Sequence, residues 1–149
     1  MGAAVTVGPL TSADRARWGE LWKDYLTFYE TELPQGQFHE TWGRLMHGNV
    51  HGLTARDESG QMLGLAHYFY HPSCWSAAPV CYLQDLFVAK EARKGGIGRA
   101  LIEAVAAQAQ QQGAGRLYWQ THETNQTARA LYDRVAKNSG FVVYWYPEG

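Results

Sequence analysis

Val80-Cys81-Tyr82-Leu83-Gln84-Asp85-Leu86-Phe87-Val88, followed after four intervening residues by Arg93-Lys94-Gly95-Gly96-Ile97-Gly98, decides the fold. The first run is rich in β-branched and aromatic residues and predicts a strand. The second predicts a turn, because glycines at 95, 96 and 98 free the backbone to curl. A helix opening directly behind it adds the partial positive charge of its first N–H groups. Such a strand–turn–helix suits a phosphate-bearing ligand, and Arg93, Lys94 and Arg99 flank it with positive charge. The same glycines also fit a tight connection whose role is geometric alone. Two familiar phosphate motifs fail. Gly98 is followed by Arg99-Ala100 where a Walker-type nucleotide loop ends in Lys-Ser/Thr, and Leu101 stands where the dinucleotide fingerprint needs its last glycine.

Upstream of this segment, Ala4 to Val7 predicts a short first strand, and Thr11 with Asp14 three residues on predicts a helix cap. Trp18, Leu21, Trp22, Tyr25, Leu26 and Tyr29 then recur at three- and four-residue spacing, giving one wide aromatic helix face. Leu33-Pro34-Gln35-Gly36 is expected to end that helix, and a shorter one to cover Phe38 to His47. Strands at Val50 to Arg56 and Met62 to Tyr70 flank Asp57-Glu58-Ser59-Gly60, a hairpin turn. Downstream of the glycine turn a helix runs to Gln112, with Ile97, Leu101 and Val105 as its buried stripe and Gly113 as its stop. Arg116 to Thr121 predicts a strand, Asn125 to Lys137 a helix and Phe141 to Tyr146 a last strand. The resulting β-α-α-β-β-β-α-β-α-β order is an α/β (α+β) mixed sheet with helices on both faces.

The 149 residues suit a single domain over 1–149, with an ordinary 46% hydrophobic content. A formal net charge of −1 and the lack of a Lys/Arg run argue against nucleic acid as a partner. No apolar run reaches the ~20 residues of a membrane helix, and MGAAVTVGPL lacks a charged region ahead of an apolar one. Cys74 and Cys81 are two thiols rather than a disulfide framework, which suits a reducing cytoplasm. No metal is expected. His47 and His51 are separated by Gly48-Asn49, His67 and His71 would lie ~13 Å apart along a strand, and no H-E-x-x-H occurs.

Arg93 to Gly98 matches the Q/R-x-x-G-x-G/A signature of the GCN5-related N-acetyltransferase (GNAT) superfamily, and Asn125, Ala128, Leu131 and Tyr132 match its N-x-x-A-x-x-L/F-Y segment. The resemblance covers roughly residues 80 to 145. Tyr82 to Val88 and Trp119 to Asn125 are similar in wording to the yeast histone and polyamine acetyltransferase-like branch, which also carries an aromatic-rich first helix. The resemblance implies the GNAT fold, a mostly antiparallel sheet with splayed middle strands. It also implies acetyl-CoA as co-substrate and a primary amine as acceptor: a polyamine, an amino acid or a lysine side chain. It assigns Leu86, Phe87 and Val88, the turn from Arg93 to Arg99 (with Lys94, Gly95, Gly96, Ile97 and Gly98), Asn125 and Ala128 to the cofactor. It assigns Tyr132 to protonation of the leaving thiolate.

An amine with a lysine-like pKa near 10.4 must lose a proton before it attacks, so a base, a water or a desolvated pocket is required. Gln84 stands where many relatives carry glutamate; it can hold a water or orient substrate but cannot serve as the base. Asp85 faces the opposite side of a regular strand unless a bulge re-aims it, and Glu30, His122 and Glu123 are further candidates. Tyr29, Glu30 and Asp85 are candidate contacts for a cationic amine beside the aromatic helix face. A non-catalytic acyl-CoA-binding domain is the alternative that Gln84 leaves open. Relatives usually have two strands after the last helix. Pro147-Glu148-Gly149 does not read as the second, so an open sheet edge covered by a homodimer is expected.

Overall fold

The computed structural model describes residues 4–147; Glu148 and Gly149 of the terminal Pro-Glu-Gly run lie outside the described residues. The elements are β1 (Thr6–Pro9), α1 (Arg15–Phe28), α2 (Gln35–His47), β2 (His51–Arg56), β3 (Met62–His71), β4 (Val80–Val88), α3 (Ile97–Gln111), β5 (Arg116–Tyr118) and α4 (Gln126–Val135). They form one sheet in the order β1-β2-β3-β4-β5. Its first three pairings are antiparallel and the last, β4 with β5, is parallel. This is the expected mixed, mostly antiparallel sheet with helices on both faces.

Each face carries its own apolar core. Leu101 and Val105 of α3 pack with Leu53, Ala66, Tyr68, Cys81 and Leu83 on one side. Trp18, Leu21 and Trp22 of α1 pack with Phe38 and Leu45 of α2 and with Met62, Leu65 and Phe87 of the sheet on the other. Leu83 and Phe87 are an even number of residues apart on β4, so a regular pleat would send them to the same face. They point to opposite faces because the register slips. Asp85 pairs with His67 and Leu83 with Tyr68, leaving Gln84 as an extra residue on β4. This bulge turns Asp85 and Phe87 toward α1 and sends Leu86 and Val88 to the α3 side.

The middle of the sheet is splayed. β4 stays paired with β3 as far as Val88, but with β5 only over Val80 to Tyr82. Beyond Tyr82 the β5-side edge of β4 is open.

Several expected boundaries move. β1 starts at Thr6 rather than Ala4, and Pro9 is tolerated in it because β1 is an edge strand. α1 ends at Phe28, where Glu30 adopts φ +54°, and Pro34 starts α2 instead of ending α1, so Gly36 lies inside a helix. The strand expected over Arg116 to Thr121 is three residues long, because the splay carries the chain away from β4 after Tyr118. α4 stops at Val135, where Ala136 turns extended.

The last expected strand is absent. Phe141 to Tyr146 is irregular and each of its side chains is 58–94% exposed. β5 offers an edge of only three residues, too few ladder bonds to offset the cost of ordering a partner strand of one's own chain.

The start of α1 is held by charge. The Asp14 carboxylate accepts from the Thr11 backbone N–H at 2.8 Å and from the Arg56 guanidinium at 2.6 Å. Burial raises the Asp14 pKa, but the Arg56 hydrogen bond, the Thr11 N–H and the Arg56 charge outweigh it and hold the carboxyl below its ordinary value. A folded-state pKa below the unfolded value gives stability that is present above about pH 4 and is lost as pH falls through the folded value. Asp14→Asn is therefore expected to lower the urea midpoint at pH 7, and the gap to wild type to close as pH falls below about 4.

Candidate active site

The bulge brings the polar side chains together. Asp85 faces α1, where the Tyr25 hydroxyl donates to Oδ1 at 2.9 Å while Oδ2 lies 3.0 Å from His67 Nδ1. His67 is 1% exposed, and its Nε2 lies 3.0 Å from Trp18 Nε1. An indole N–H can only donate, so His67 Nε2 accepts and the ring proton sits on Nδ1, donating to Asp85. The neutral imidazole thus fixes the carboxylate from behind. Burial, then the Asp85 charge, push the Tyr25 phenol far above its ordinary value, so it remains a donor.

Tyr25 opens into a cleft lined also by Tyr29, Gln84, Leu86, Trp119, Gln120 and Tyr132. The cleft lies where β4 and β5 part. Tyr132 projects into it from α4, with its ring edge-on to Trp119 at 5.5 Å. Burial, then the neighbouring Tyr29, raise the Tyr132 pKa, which keeps its hydroxyl protonated at neutral pH. Asn125 caps α4 by accepting from the Ala128 N–H at 3.2 Å, as its place before the helix predicts.

The glycine turn lies at the far end of β4. Lys94 and Gly96 adopt φ +73° and +79°, so the chain coils tightly into α3. No acceptor among the described residues takes a hydrogen bond from the backbone N–H groups of Lys94 to Arg99. They form a cluster of free donors at a helix start, a setting made for phosphate oxygens. Gly98 lies against Leu131 and Val88, where a Cβ would meet Leu131 at 3.4 Å. The flanking cations are not equally available. Arg93 Nε donates to the Val88 carbonyl at 3.2 Å with its guanidinium over Phe28 and Phe87, and Arg99 pairs with Glu103 at 2.9 Å.

Of the residues singled out from the sequence, Gln84, Leu86, Tyr29 and Tyr132 meet in the cleft, and Asp85 reaches it through Tyr25. Glu30 does not line it. His122 is engaged by the Thr124 hydroxyl at 2.6 Å in the loop before α4. Phe87 is buried against α1 and so supports the cleft from beneath. Sequence reasoning missed Tyr25, His67 and Trp119 as site residues. The bulge brings Tyr25 and His67 to Asp85, and the parting of β4 and β5 brings Trp119 to the cleft; no local pattern reveals either. Cys81 is buried, which pushes its thiol up to about 11, and Cys74 is an exposed free thiol. Among the described residues no three His, Cys, Asp or Glu side chains gather as metal ligands, and no helix is long and apolar enough to cross a membrane.

A sheet splayed beside a helix-start donor cluster, with a tyrosine from the following helix in the gap, makes a scaffold suited to a phosphate-bearing ligand laid along an open strand edge. Residues 16–136 match the model of the acetyltransferase (GNAT) family, and the chain belongs to that family: it is an acetyltransferase. It is 36% identical over 143 residues to the D-amino-acid N-acetyltransferase HPA3 of Saccharomyces cerevisiae, covering 94% of this chain and 89% of that one. Over 89 residues it is 32% identical to a thialysine N-epsilon-acetyltransferase of Caenorhabditis elegans, covering 58% of this chain and 52% of that one. Among solved structures it resembles AAC(6')-Iy in complex with the bisubstrate analogue CoA-S-monomethyl-acetylneamine, with a TM-score of 0.85 and 15% identity, over 99% of this chain and 100% of that one.

Removing the His67 imidazole would strand both the Trp18 indole N–H and an oxygen of Asp85 inside the protein. His67→Ala is expected to lower unfolding stability by about 3 kcal/mol in urea, against about 1 kcal/mol for Tyr25→Phe.

Proposed function

We propose that this enzyme transfers the acetyl group of acetyl-CoA to a primary amine by direct attack within a ternary complex. The observation that carries the proposal is the open edge of β4, with the free N–H cluster of the glycine turn at one end and Tyr132 in the gap. The N–H groups from Lys94 to Arg99, with Lys94 itself, would hold the pyrophosphate, and the open edge at Leu86 to Val88 the pantetheine arm. Asn125 and Ala128 would border that arm at the start of α4. A strand N–H on this edge would stabilise the negative charge that gathers on the thioester oxygen. Tyr132, kept protonated by burial, would donate to the departing thiolate.

The amine would enter beside Tyr29 and Gln84, whose carboxamide orients it or an attendant water. A small acceptor fits best, an amino-acid or polyamine amine, because the similar yeast and nematode proteins are acetyltransferases of D-amino acids and thialysine. The free thiols Cys74 and Cys81 suit a cytoplasmic setting.

The test is release of free thiol from acetyl-CoA with spermidine, D-alanine, L-thialysine and a lysine-rich peptide as acceptors. Turnover on at least one is expected, with kcat about 100-fold lower in Tyr132→Phe and the KM for acetyl-CoA unchanged. Acetyl-CoA binding without turnover on any acceptor would favour a non-catalytic binding domain.

We also propose that the chain works as a homodimer. The exposed apolar run Phe141 to Tyr146 and the uncovered outer edge of β5 are surfaces that a second copy would cover. Light scattering at micromolar concentration should give twice the 16.7 kDa chain mass. A monomeric mass would contradict the proposal.

A further inference from the structure

Gln84 leaves the amine without an evident proton acceptor, although the cleft wall carries another route. Tyr25 lines the cleft and donates its only O–H to Asp85 at 2.9 Å. Its oxygen lone pairs, beside the Tyr29 hydroxyl, therefore retain capacity to accept from a group in the cleft. Asp85 is 12% exposed at its side chain, and both its oxygens are spoken for, Oδ2 by His67 and Oδ1 by Tyr25. Trp18 fixes the His67 tautomer, so the imidazole can hold the carboxylate in place without competing for the proton that Oδ1 would take.

We propose that Tyr25 and Asp85 form the proton-accepting relay of acetyl transfer, with His67 as the positioning residue behind them. The proposal rests on the acetyl-transfer reading above. The bound ammonium first passes a proton to the Tyr25 oxygen while the Tyr25 proton passes to Asp85 Oδ1; the freed nitrogen lone pair then bonds to the thioester carbon, and the nitrogen's second surplus proton leaves to solvent. The C–S bond breaks, and the departing sulfur takes a proton from Tyr132. After product release Asp85 returns its proton to solvent through Tyr25, and Tyr132 regains one from solvent. Tyr25 ends each turnover as it began, a protonated phenol. Its high pKa suits a group that hands protons on rather than storing charge.

Other titratable groups face this relay. Tyr29 lies on the same helix with its ring 5.0 Å from Tyr25, His67 faces it from β3 and Tyr82 from β4. Tyr132 comes from α4, and the Arg93 guanidinium lies over Phe87, which packs edge-on to Tyr25. None of these reaches both the cleft and a fixed carboxylate, as Tyr25 does.

The relay makes a prediction that a structural role would not. Without it, attack must wait for amine already deprotonated, a fraction that rises with pH toward the amine's own pKa. The experiment measures kcat from pH 6.5 to 10 for wild type, Tyr25→Phe and Asp85→Asn, using whichever panel acceptor turns over fastest. Both variants should be about 100-fold slower than wild type at pH 7.5. The deficit should shrink to within about threefold near pH 10, with the KM for acetyl-CoA unchanged throughout. A deficit that is constant with pH, an absent deficit, or a pH-dependent deficit in only one variant would overturn the relay while leaving acetyl transfer intact. A wild type silent toward the whole panel would overturn acetyl transfer and the relay with it.

Discussion

One extra residue on β4 governs this molecule. Because Gln84 has no partner on β3, the strand reverses its faces between Leu83 and Asp85. Leu83 completes the core under α3, and Phe87 completes the core under α1. A regular strand would place both on one face and bring Asp85 into the α3 core, with no Tyr25 or His67 to meet it. The bulge thus closes two apolar layers and creates the polar cluster in the same step. Bulges beside active sites commonly re-aim a side chain in this way.

The parting of β4 and β5 is the second consequential feature. It leaves an open strand edge in mid-sheet, which a folded protein normally covers. At one end of that edge lie the unpaired N–H groups of the glycine turn, and along it stand Gln84, Leu86 and Tyr132. The long acetyl-CoA molecule proposed as co-substrate matches this layout, with phosphate at the helix start and thioester beside the tyrosine.

Much of this was legible in the sequence. Val80 to Val88 is a strand end to end, and the glycine turn, the α3 stripe and the Asn125 cap stand where their chemistry predicts. These features are local, set by residue type and spacing. What escaped depends on distant pairing. The bulge arises from the match between β3 and β4 across a loop, so the sequence does not reveal the partners of Asp85 and marks His67 only as half of a histidine pair. Phe141 to Tyr146 has strong strand propensity but finds no edge long enough to pair with, and propensity without a partner does not make a strand. Arg93 and Arg99 fit the charge pattern for a phosphate site, but Arg93 folds back on β4 and Arg99 pairs within its own helix.

The central claim is that the splayed edge and the bulged strand form one site, with the cofactor along the first and the amine beside the second. A crystal structure of the chain with CoA tests it most directly. The account predicts the pyrophosphate against the N–H groups of Gly95 to Gly98 and the CoA sulfur within hydrogen-bond reach of the Tyr132 hydroxyl. It also predicts that the Tyr25–Asp85–His67 contacts persist. CoA bound away from the gap between β4 and β5, or a β4 that pairs without the bulge at Gln84, would contradict it.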